Sequence, residues 1–90
     1  MAAILVLPIL PEIDYDAFRR EVDHTLPASH EKWREIYSET VDEAVKKGTV
    51  VFEIEARFAE FMAFCVKKGR SAGPEMLLEF VQHKKRNPAR

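Results

Sequence analysis

The side chains able to do chemistry in this 90-residue chain are few and scattered. His24, His30 and Glu31 are the candidate metal ligands. Neighbouring positions on a helix point about 100° apart, so His30 and Glu31 cannot close on one ion from a shared helix. The chain has no H-E-x-x-H pair and no Cys/His cluster, so no metal site is inferred. Cys65 is the single thiol and lies among Ile54, Phe58 and Phe61. A reactive thiolate needs exposure and positive neighbours, so Cys65 is expected to be buried and inert. Glu53 and Arg57 have the spacing of an i,i+4 ion pair, and Asp42 and Glu43 suit a helix surface. Three separated glycines make no phosphate loop. No catalytic residue, cofactor or small-molecule substrate is inferred, and the chain is expected not to be an enzyme.

Charge offers a second line. The net charge is −1, but residues 1–60 hold 13 acidic and 7 basic side chains, and residues 61–90 hold 2 and 7. The bases gather at Lys67–Arg70 and His83–Arg86. Cations there complement the negative ends of two helices. The alternative is a small accessory nucleic-acid-binding protein using Lys84, Lys85 and Arg86. A helix-turn-helix reading meets an obstacle, because a recognition helix reads bases with its N-terminal residues and those are Glu75 and Glu79 here.

These side chains need a scaffold. Ninety residues make one domain, spanning 1–90, with a thin core. A composition of 47% hydrophobic and 32% charged residues suits a globular fold. One cysteine fits a reducing compartment. The longest apolar run, Ala2 to Leu10, is far short of the ~20 residues that cross a bilayer. The start lacks a basic signal-peptide region, so the expected location is cytoplasmic, with no membrane partner.

Residues 1–13 contain Pro8 and Pro11 and read as an extended arm. Asp14 can cap a first helix, Tyr15 to Val22. Ser29 can cap a second, His30 to Lys47, whose stripe runs Trp33, Ile36, Tyr37, Val41, Ala44 and Val45. That stripe predicts a substantially buried Trp33. Gly48 stands where a left-handed stop belongs, and the tetrapeptide VKKG recurs at Val66–Gly69 as a similar stop. Between them, GTVVFEIEARFAEFMAFC reads two ways. Val50, Phe52, Ile54, Ala56 and Phe58 alternate like a strand. No Gly, Pro or Asn interrupts Thr49 to Lys68, however, and helical projection gives two apolar stripes. The favoured expectation is a single central helix packed from two sides. A last helix starts with Pro74 and buries Leu77, Leu78 and Val81, with Met76 and Phe80 at the edges. Residues 87–90 should fray.

The expected fold is therefore mostly α, four helices with an extended N-terminal arm. The alternative is α+β, with a short strand pair from 3–7 and 50–56. The arm, the two-sided helix and Phe64 offer more apolar surface than a thin core covers. This points to a protein–protein interaction module, a homodimer or a binder of a protein partner. Its candidate contact residues are Ile4, Leu5, Leu7, Ile9 and Phe64. Glu55 joins them because the helical reading sets its carboxylate between two packing stripes.

Overall fold

The structure, a computed structural model, describes residues 3–86, so the expected frayed tail at 87–90 lies outside the described residues. The elements run β1 (Ile4–Ile9), α1 (Glu12–Glu21), α2 (His30–Lys46), β2 (Val50–Glu55), α3 (Phe58–Lys68) and α4 (Pro74–Arg86). The fold is helix-rich with one short parallel sheet. The single helix expected over 49–68 is corrected: it is a strand followed by a helix. The arm is corrected with it, since β1 and β2 pair in parallel from Ile4 opposite Val50 to Ile9 opposite Glu55.

Alternation decides which way the strand residues face. Lys85 Nζ stands 4.4 Å above the Phe52 ring, and Val6 and Ile54 pack on the core, so even positions face α4. Glu53 accepts a hydrogen bond from the Tyr37 hydroxyl at 2.9 Å, so odd positions face α2. The backbone alternates as well. Ala3 and Ile9 carbonyls accept from the Val50 and Ala56 N–H groups, which turns the odd residues of β1 towards β2. Pro8 is even, so its missing N–H falls on the outer edge and costs the ladder nothing.

The strand must become a helix within Ala56–Arg57, where no residue in the chain nearby acts as a breaker. The helix start is supplied from elsewhere. Asp14, on α1, accepts from the Phe58 N–H at 2.9 Å and from Arg57 Nε at 2.8 Å. Asp14 does not cap its own helix as expected, because α1 begins two residues earlier, after Pro11. Its carboxylate instead satisfies an orphan amide at the N-terminus of α3, where the helix dipole favours a negative charge. The Arg57 guanidinium and the Phe58 N–H together hold its carboxyl below the usual value.

The other boundaries follow local rules. Ser29 caps α2 by accepting from the Lys32 N–H at 3.1 Å. Both VKKG segments close in the same way. Thr49 N–H reaches the Ala44 carbonyl past Gly48, and Arg70 N–H reaches the Cys65 carbonyl past Gly69. These paired stops put both glycines at positive φ, 81° and 67°.

The core forms where α1, α3 and α4 meet below the strand ends. Tyr15, Phe18, Phe61, Leu10 and Val81 are its largest fully buried side chains. Phe18 meets Phe58 edge-on with ring centroids 5.4 Å apart, and Phe64 packs on Phe80 at 5.3 Å. Three packing expectations are corrected. Phe64, expected at a contact surface, is only 9% exposed, because α4 covers that side of α3. The second stripe of α3 is open to solvent, with Val66 78% exposed, so α3 is not packed from two sides. On α4, Leu78 is 48% exposed while Met76 and Phe80 are buried. Trp33, by contrast, has most of its surface covered and packs against the core, in line with its place on the stripe.

Two outcomes test this packing. Phe18→Ala should cost about 3–5 kcal/mol in urea unfolding and Trp33→Ala clearly less, since only Phe18 is sealed. Asp14→Ala should lose about 0.5–2 kcal/mol at neutral pH, as for a lost helix cap. The depressed folded-state pKa fixes the sign of the pH effect. The Asp14 contribution is fully present above its ordinary value of 3.8 and fades as pH falls through the lower folded-state value. Stability curves of the parent and Asp14→Ala should therefore converge only in strong acid.

Candidate functional site

Two open surfaces lie on opposite faces of the sheet. The first is at the leading ends of the strands, on the α4 side. Ile4 and Val50 stand opposite each other in register and are 61% and 44% exposed. Phe52 follows on the same face, with Lys85 over its ring. Among the described residues the sheet has two strands, and neither outer edge has a neighbouring strand. On β1 the outer edge is blunted by Pro8. On β2 the outward backbone groups belong to Val51, Glu53 and Glu55.

The second surface is a groove of about 870 Å³ between α2 and the trailing end of β1. Its floor is an aromatic row produced by helical spacing. His30 stacks on Trp33 at 5.2 Å between ring centroids, and Trp33 lies 5.0 Å from Tyr37. His30 is fixed by donating from Nε2 to the Leu10 carbonyl at 2.7 Å. Burial, and then the hydrogen bond to Glu53, push the Tyr37 phenol far above its ordinary value, so it stays a neutral donor. Along the rim, Glu31, Glu35, Glu39 and Asp42 are exposed at spacings of three and four. Lys32 reaches Glu35 at 3.6 Å across the outer side of the helix.

The residues singled out in the sequence distribute unevenly over these surfaces. Ile4 belongs to the first. Leu5, Leu7 and Ile9 are half-buried on the α2 side, and Ile9 borders the groove. Glu55 is exposed on β2, not between two helix stripes, and its carbonyl accepts from Lys84 Nζ at 2.9 Å. Lys84 also reaches Glu60 at 3.3 Å. Lys84 and Lys85 are thus half-buried along α4, while Arg86 is exposed. His24 Nε2 donates to the Arg20 carbonyl at 2.8 Å and stands apart from His30. Among the described residues, no three His, Cys, Asp or Glu side chains gather as a metal site, and no helix is long and apolar enough to cross a membrane. The groove itself went unremarked in the sequence, although the run His30, Trp33, Tyr37 beside Glu31, Glu35, Glu39 was its signal.

Cys65 is 2% exposed, and burial raises its thiol pKa. Native protein should therefore react with a thiol reagent only on the timescale of its opening, and fully once unfolded. Rapid stoichiometric labelling at neutral pH would contradict this placement.

Comparison of the chain with family models, curated proteins and solved structures gives no match.

Proposed function

We propose that the chain is a protein–protein interaction module that self-associates through the leading end of its sheet. The observation that carries this reading is the exposed set Ile4, Val50 and Phe52 on a sheet of only two strands. Two strands alone are marginal in water, and an open edge is a template for further pairing. Apolar residues clustered at such an edge are a usual site of contact between chains. A C2 pair would bring the same patch from each copy together. The nucleic-acid alternative is less favoured because Lys84 and Lys85 are engaged within the fold.

Deleting the first ten residues is a poor test, since β1 is half of the sheet. Ile4→Lys with Val50→Lys is a better one, because both side chains are exposed and the core is left intact. The unmodified chain should sediment as a dimer, and the double variant should dissociate with at least a roughly tenfold weaker constant. Its unfolding midpoint should stay near that of the parent. A parent chain that remains monomeric at about 1 mM, a millimolar constant being the weak end of specific association, would refute self-association.

A further inference from the structure

The two outer edges of the sheet differ in chemistry. β2 reads VVFEIE, and its outward side carries the backbone of Val51, Glu53 and Glu55. Lys84 already covers the Glu55 carbonyl at 2.9 Å. Charged side chains and a covering group are the usual guards of an edge. β1 reads ILVLPI, with no charge on either face. A run apolar on both faces is the composition of an interior strand, one with neighbours on both sides. Yet β1 has a neighbouring strand on one side only. Its odd residues turn their backbone groups to β2, so the N–H and carbonyl of Ile4 and of Val6 point outward. Among the described residues nothing bonds them on that side. What covers this edge must bring an extended, uncharged backbone.

A second copy of the same strand meets both needs. Set antiparallel about a two-fold axis at Leu5, Ile4 of one copy falls opposite Val6 of the other. Each such pair exchanges both N–H···O bonds, so every outward group of Ile4 and Val6 is satisfied. Moving the axis to Val6 would set Ile4 opposite Pro8, which has no N–H to give. On the α4 side, the exposed Ile4 then lies beside Val6 of the second copy. On the α2 side, the half-buried Leu5 meets its own counterpart. The same operation on β2 would crowd Glu53 and Glu55 of both copies onto one face. We infer that β1 pairs with β1 of a second copy, antiparallel and centred on Leu5, joining the two-stranded sheets of both copies into one. This inference rests on the self-association proposed above and assigns it an edge, a direction and a register.

Two substitutions at one exposed position separate backbone pairing from side-chain contact. Ile4→Pro removes the outward N–H, keeps an apolar side chain and leaves the β1–β2 ladder intact. Ile4→Ala trims the side chain and keeps the N–H. In sedimentation, Ile4→Pro should weaken the dimer at least roughly tenfold, and Ile4→Ala clearly less. A cross-link reads the register independently. Opposite residues of a non-hydrogen-bonded pair stand about 4.5 Å apart between Cα atoms, within reach of a disulfide. Leu5→Cys should therefore give a disulfide-linked dimer under mild oxidation, and Val51→Cys, on the outer edge of β2, should not. Cys65 is buried and does not compete. If Ile4→Pro unfolds the chain, the cross-link decides alone. A dimer that both Ile4 variants weaken equally would overturn the β1 pairing and leave self-association standing. So would one that cross-links through Val51→Cys and not through Leu5→Cys. A parent chain still monomeric at about 1 mM would remove self-association itself and this pairing with it.

Discussion

The pairing of β1 with β2 is the constraint on which the rest of the molecule depends. It joins segments separated by two whole helices, with Ile4 set against Val50. Parallel strands need a long crossover, and α1 and α2 provide it. The sheet that results is narrow. α4 lies across both strands on one face and α2 touches mainly β2 on the other. Because α2 leans on one strand only, the face holding Leu5, Leu7 and Ile9 is half covered. The groove is the space left by that arrangement, so it follows from the width of the sheet and not from any special loop.

A second long-range interaction completes the frame. Asp14 reaches 44 residues along the chain to cap α3 at Phe58, while Ala56 N–H bonds the Ile9 carbonyl beside it. Together they fasten the exits of both strands to the start of two helices. Ala56 and Leu10 are buried at this junction, 0% and 2% exposed. The side chains of α1, α3 and α4 can then share one aromatic core.

This also explains what could be read from the sequence and what could not. α2 was legible because its cap, Ser29, and its stop, Gly48, lie next to it. The two VKKG stops and Pro74 at the start of α4 were legible for the same reason. The break at Ala56–Arg57 was not, since the residue that enforces it is Asp14, far upstream. Local reading therefore favoured one helix, with the strand pair as its alternative. The alternation from Val50 to Ala56 was present, and it specified the strand once β1 was available to pair. Periodicity likewise found the stripe on α2 but not how much of it would be covered. Ile36 and Val45 remain 46% and 59% exposed because a two-stranded sheet is too narrow to meet them. Phe64 looked misplaced only while a neighbour on its side of α3 was unknown.

The two candidate surfaces lie on opposite faces of the sheet. The Ile4–Val50–Phe52 patch lies on the α4 side of the sheet, and the aromatic groove lies on the α2 side. The uneven charge of the chain fits this division. The acidic residues of α2 remain exposed at the rim, while Lys84 and Lys85 of the basic third are drawn against Glu55, Glu60 and Phe52 on the far side of the sheet.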